Sequence, residues 1–209
     1  MVIYENHRKK LGEHLQLHDL IFVQEVSPAQ FGEVYAVKDR NNNLYALKTL
    51  SKAELADFDV QKYIAEEKRV LMQVAFPFII QIVKTLSDHE MLYYLLEFVE
   101  GVDLFEVLKD IGLLSTFDCQ FYVANIILIL EYLHGSHIMA RDVKPENFMV
   151  DSKGYLKLVN LSTAKILKPD QASRTNTIIS TPHYMAPEII IGKGYNHLVD
   201  LWSLGVCLF

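Results

Sequence analysis

Cysteine is nearly missing from this chain: there are two in 209 residues, Cys119 and Cys207. They lie far apart in apolar stretches, which leaves no disulfide framework. Both read as buried small hydrophobes in a reducing, intracellular and cytoplasmic setting. Positive charge is also short. Twenty Lys and Arg stand against 26 Asp and Glu, a net charge of -6, and this gives no basic face for a nucleic acid. No apolar run reaches the ~20 residues that span a bilayer. The longest, FYVANIILILEYL at 121–133, is interrupted by Asn125 and Glu131, so it reads as a core helix and no membrane span is expected. The start, MVIYENHRKK, has no apolar segment of the secretory kind. No internal repeat and no low-complexity segment is visible. Glycine is sparse too, nine in all, and one loop that lacks it matters below.

What is there describes a folded chain. Hydrophobic residues make up 51% and charged residues 22%, too apolar and too weakly charged for disorder. The length suits one large domain or two small lobes. Residues 1–18 are polar and irregular, an expected N-terminal extension. IFVQEV and then GEVYAVKDRNNNLYALKTL alternate in the manner of three strands, with DRNNNL as turn chemistry. DVQKYIAEEKRVLMQV (59–74) has helical spacing and is broken at Pro77. IIQIVKTL and MLYYLLEFV are apolar strands joined by SDHE. After Glu100-Gly101 the pattern turns helical: DLFEVLKDIG, then a long helix with Ser115 as N-cap, Asp118 in its first turn and Gly135 as its stop. NFMVD and YLKLV are strands around Ser152-Lys153-Gly154, and VDLWSLGVCLF is an apolar helix. The order is a β-rich part at 19–98, a hinge, and a helical part at 99–209.

Several strings then stand in one order: EEKRVL, YLHGSHI, RDVKPENFMVDSKGYLKLV, TPHYMAPEIIIGKGY and VDLWSLGVCLF. Together they resemble the eukaryotic protein kinase domain of the AGC group, and within it the cyclic-GMP-dependent kinases of protists. The resemblance covers about Leu20 to Phe209. It implies an α+β, two-lobed fold with a β-rich N-lobe and a helical C-lobe that is incomplete, ending inside the central helix. It also implies roles. Lys48 matches the strand lysine that grips the inner phosphates of ATP, and Glu67 the helix glutamate that pairs with it, Glu66 being one step off register. Asp142 matches the base that receives the substrate hydroxyl proton, Lys144 sits near the transferred phosphate, and Asn147 holds a metal ion. Adenine would dock between Val34, Ala46 and the hinge Glu97-Phe98-Val99, with Asp103 on the ribose. Thr177 matches the activation-loop phosphosite, and Arg141 and Lys165 the residues that meet its phosphate. Asp200 matches the buried anchor of the catalytic loop.

Three catalytic parts depart from the family pattern. The glycine-rich loop falls on Ser27-Pro28-Ala29-Gln30-Phe31-Gly32, where only the last glycine survives. Ala29 places a methyl where backbone N–H groups approach phosphate, and Pro28 removes a donor. Ala140 replaces an aromatic before Arg141. Asn160-Leu161-Ser162 stands in place of Asp-Phe-Gly, so an uncharged amide replaces the metal-binding carboxylate. Mg²⁺ prefers carboxylate and phosphate oxygens. A loss of ~4 kcal/mol in transition-state stabilisation would lower the rate roughly a thousandfold. Ser180 also replaces the glycine before Thr181-Pro182, and His183 lies in the peptide-facing region.

The expected function is a catalytically impaired Ser/Thr pseudokinase serving as an interaction or scaffold module, with weakened ATP and Mg²⁺ binding. An active Ser/Thr kinase and a purely structural subunit of a larger assembly are the alternatives. Protein partners are expected on the apolar end near Trp202. His14 and His18, spaced i, i+4, read as a solvated face rather than as a metal pair. His134 and His137 read as helix caps or surface residues.

Overall fold

The computed structural model describes residues 14–29, 31–58, 60–167 and 174–209. Residues 1–13 of the expected extension, Asp59 of the expected helix start and Gln30 of the glycine-poor loop lie outside them. The described chain is α+β and falls into two compact units. One comprises residues up to 62 together with 81–99, and the other comprises 63–80 and 100–209.

The first unit is a five-stranded antiparallel sheet. Its strands are β1 (Ile21–Ala29), β2 (Gly32–Lys38), β3 (Leu44–Ser51), β4 (Ile82–Ser87) and β5 (Met91–Glu97), in the order β1-β2-β3-β5-β4. The alternation read in the sequence sets its faces: Val37, Tyr45, Leu47 and Leu95 form a buried cluster. β1 is an edge strand, exposed over nearly all its length and bulged twice in its pairing with β2, which disfavours further pairing. The DRNNNL turn is held by Asp39, whose Oδ1 accepts the amides of Asn41 and Asn43. A short helix not signalled by any period, α1 (Lys52–Asp57), follows β3 and is capped by Ser51.

The second unit begins in α2 (Gln61–Gln73), which buries Ile64, Glu67, Val70 and Leu71. Its position in this unit follows from its bonds. Glu66 Oε1 accepts the Ile166 amide at 3.0 Å, the Ala75 amide donates to the Tyr132 hydroxyl, and Ile80 and Leu158 bond through the backbone. A three-stranded sheet, β6-β8-β9 (Gly101–Asp103, Phe148–Asp151, Leu156–Leu158), and a two-stranded pair, β7 (Ile138–Met139) with β10 (Lys165–Ile166), carry the loops of interest. Around them lie α3 (Leu104–Ile111), α4 (Thr116–Gly135), α5 (Pro187–Ile190) and α6 (Leu198–Leu208).

α4 starts as expected, with the Ser115 hydroxyl accepting the Asp118 amide. It ends at Gly135 as expected, though without a left-handed glycine there. The helix includes that residue, Ser136 closes it, and the left-handed residue is His137 at φ +58. By length and composition α4 is long and apolar enough to cross a membrane. One side of it, Asn125, Ile126, Ile129, Leu130 and Leu133, is buried in the protein.

Candidate active site

The loop at 140–147 is fixed from beneath by one buried anion. Asp200 on α6 is fully buried and accepts the amides of Arg141 (2.7 Å) and Ala140 (3.0 Å). His134, near the end of α4, places its Nε2 2.7 Å from the same carboxylate. His134 is therefore not the cap or surface residue expected from the sequence: a partner 66 residues away takes its ring inward. A carboxylate in so dry a place requires this full set of partners. Arg141 is held at φ +66, a conformation that costs a non-glycine residue energy and persists where surrounding bonds impose it.

On that base the catalytic-loop residues converge. Asp142 Oδ1 accepts the Thr181 amide at 2.9 Å and the Ser180 hydroxyl at 3.2 Å. Its Oδ2 lies 3.1 Å from Asn147 Nδ2 and 3.2 Å from Lys144 Nζ. Lys144 Nζ also donates to Thr181 Oγ1 at 2.7 Å. Burial pushes the Asp142 carboxyl up, but the bonds from Thr181 and Asn147 and the Lys144 charge outweigh it. The group is held below the ordinary carboxylate range.

Asn147 and Asn160, expected at a metal, meet each other. Asn160 Nδ2 donates to Asn147 Oδ1 at 3.0 Å. The orientation of each amide is set by its other bonds: Asn160 Oδ1 accepts the Ser162 amide, and Asn147 Nδ2 donates to the Asp142 carbonyl. Both amide oxygens are thus engaged, and the pair carries no formal charge. Among the described residues no group of three or more His, Cys, Asp and Glu is placed to hold a metal. His18 lies 3.7 Å from Asp19 instead.

The nucleotide candidates are divided between the units. In the first, Lys48 stands on β3 between Val34 of β2 and Tyr94 of β5, its Nζ 6.0 Å from the Tyr94 ring centroid. Ala46 is opposite Ala36. Glu97 is buried, and its Oε1 accepts the Gln81 amide; Val99 follows β5. Gly32 remains for a reason internal to the sheet: a Cβ there would lie 2.0 Å from the Thr49 carbonyl oxygen. Beside it Phe31 takes φ +67 and packs its ring on Phe58. In the second unit Glu67 is buried on α2, and Asp103 caps α3 by accepting the Phe105 amide at 2.7 Å.

The regulatory candidates form a separate cluster. Arg141 Nε donates to the Thr163 carbonyl at 2.6 Å, while its buried Nη1 has no hydrogen-bond partner among the described residues. Lys165 Nζ donates to Thr175 Oγ1 at 2.8 Å, and Thr175 Oγ1 lies 3.4 Å from Thr177 Oγ1. Burial first, and the Arg141 charge second, lower the Lys165 pKa. Thr175 and His134 drew no functional reading from the sequence, and Ser180 stood out only as a replacement for glycine beside the peptide-facing region. Thr181-Pro182 marked the segment, but nothing in the local spacing joins residues 38 to 66 positions apart.

A strand lysine, a catalytic-type loop braced by a buried aspartate, and a Thr-Pro segment folded onto its carboxylate define a class. The family model for the protein kinase domain matches residues 23–209, and the chain belongs to that family. Among curated relatives it is 41% identical over 196 residues to a cGMP-dependent protein kinase of Eimeria tenella, covering 93% of this chain and 19% of that one. It is also 41% identical over 196 residues to a cGMP-dependent protein kinase of Toxoplasma gondii. To the cAMP-dependent protein kinase catalytic subunit PRKX of Mus musculus it is 38% identical over 202 residues, 96% of this chain and 55% of that one. The chain therefore spans a fifth to about half of these relatives. They place it beside the AGC kinases.

Proposed function

We propose that this chain is a protein-kinase-fold module with impaired phosphoryl transfer, acting by binding proteins and retaining a weakened affinity for ATP. The observation that carries the reading is the bond from Asn160 Nδ2 to Asn147 Oδ1. A divalent cation needs oxygen lone pairs and negative charge. Here an N–H donor faces the one oxygen that Asn147 offers, and the adjoining Asp142 carboxylate is already bonded by Asn147, Lys144, Ser180 and Thr181. The pair does not fit Mg²⁺, so no step is assigned to a metal. The adenine side keeps its apolar residues Val34 and Ala46, and Lys48 supplies a cation for phosphate. In the second unit Asp103 is the residue that the family pattern offers for the ribose, and its Oδ1 accepts the Phe105 amide.

The test is thermal denaturation with ATP, with and without Mg²⁺, beside a phosphotransfer assay in Mg²⁺ and Mn²⁺. The reading expects an ATP-dependent stabilisation that Mg²⁺ does not enlarge, and negligible transfer. Substantial turnover would overturn it in favour of a working Ser/Thr kinase, the reading favoured by the intact Asp142, Lys144 and Thr181 geometry. No shift with ATP would leave a structural subunit.

Two further proposals belong with it. Phosphate on Thr177 would lie next to Thr175, the partner of Lys165, and would draw in Lys165 and Arg141 and relieve their mutual repulsion. A protein partner covers the exposed apolar stripe of α6, which holds Leu198, Leu201 and Trp202. Neither nucleic acid nor membrane is assigned as a partner, and a cytoplasmic place suits two free cysteines.

A further inference from the structure

Ser180 combines two unusual properties. Its backbone is at φ +154, in a region that L-residues rarely adopt, where the family pattern has glycine. Its hydroxyl is also 3.2 Å from Asp142 Oδ1. Strained residues persist where the surrounding bonds over-determine them, and they cluster at functional sites. The neighbouring Thr181 explains its own contacts: its amide bonds Asp142 and its hydroxyl takes Lys144. Ser180 is not needed for that arrangement, since glycine at 180 would leave both bonds in place and remove the strain.

The geometry points to Ser180 as an internal occupant of the acceptor position: its hydroxyl stands where an incoming alcohol would donate to the Asp142 carboxylate. This rests on the reading of Asp142 as a kinase-type base position. A general base must lie within about 2.6–3.2 Å of the atom whose proton it receives, and the Ser180 hydroxyl oxygen meets that distance. Both oxygens of Asp142 are then committed, Oδ1 to Ser180 and Thr181, and Oδ2 to Asn147 and Lys144. An acceptor alcohol has to displace Ser180 before it reaches the carboxylate. The residue thereby sets which acceptors the site admits, independently of the metal position.

The experiment is site-resolved modification of carboxylates by a water-soluble carbodiimide and a small amine, read by peptide mass mapping on wild type, Ser180→Ala and Ser180→Gly. Asp142 is expected to react about ten- to a hundredfold faster in both variants, the scale of one hydrogen bond to a charged group. Asp88, exposed in the β4–β5 turn, reports that folding and reagent are unchanged. Equal Asp142 labelling in wild type and Ser180→Ala, or acceleration in Ser180→Gly alone, overturns the proposal, because then backbone strain and not the hydroxyl shields the carboxylate. Phosphotransfer by the wild type sinks the impaired-kinase reading and leaves this comparison standing.

Discussion

An amide differs from a carboxylate in carrying a donor as well as an acceptor, and at position 160 that difference reorganises the site. Asn160 bonds Asn147 and the Ser162 amide. A carboxylate at 160 would still accept from Ser162 but would leave Asn147 Oδ1 free and add a negative charge. Asn160→Asp is therefore expected to create a Mg²⁺-dependent rise in melting temperature with ATP that the wild type lacks. An unchanged response to Mg²⁺ in differential scanning fluorimetry would count against the amide pair as the obstacle. Asp142 offers a second test at this scale. Its carboxyl titrates below the ordinary value near 4, so its stabilising contribution is complete above that value and is lost as pH falls through its lower folded-state value. Asp142→Ala should cost about 1–3 kcal/mol at pH 7. The gap to wild type should narrow below about pH 4 in paired denaturation curves; a constant gap down to pH 2 would show that the carboxylate's bonds do not matter.

At the scale of elements, what was legible is what repeats. Strands of six to nine residues such as β1, β3 and β4 read as alternating in the sequence, and α4 and α6 show long apolar runs, with Ser115 capping α4. β7, β10 and β6, of two or three residues, carry no period to read; their backbone pairing is set by partners far along the chain. The same limit applies to the site. Asp142, Lys144 and Asn147 share one short loop and were legible together. The His134–Asp200 contact and the Glu66–Ile166 bond were not, because each joins segments whose meeting only the fold decides. Gly32 shows how a correct motif reading misses a physical cause. Its role in the sheet predicts that Gly32→Ala forces β2 from β3, since the added Cβ would lie 2.0 Å from Thr49 O and 2.8 Å from its carbonyl carbon. The expected cost is about 2–3 kcal/mol, seen as a lower urea midpoint with an unchanged slope. Ala29, already non-glycine, should tolerate replacement by serine within about 0.5 kcal/mol.

For the whole molecule the dominant unresolved surface is apolar. Leu198, Leu201 and Trp202 recur at i, i+3 and i+4 on α6, so they share one side of that helix, and each is about half exposed: 53%, 49% and 49%. The opposite side is spoken for, with Val199, Asp200, Ser203 and Leu204 buried. Ile190 and Ile191, at the end of α5, are 64% and 66% exposed. Removing such side chains from water is favourable at roughly 25 cal/mol per Å². The isolated chain should then associate with itself as concentration rises. Its net charge of -6 opposes this only over the Debye length, about 10 Å at 0.1 M salt, so association should strengthen as salt is added. Replacing both Leu201 and Trp202 by lysine puts charge on the stripe without touching the buried side. Sedimentation velocity should show the wild type shifting to larger species with concentration and salt, and the double variant staying monomeric with an unchanged melting temperature. A wild type that sediments as a monomer at every concentration and salt would mean the stripe is too small to drive association, and the proposed protein contact at α6 would lose its physical basis.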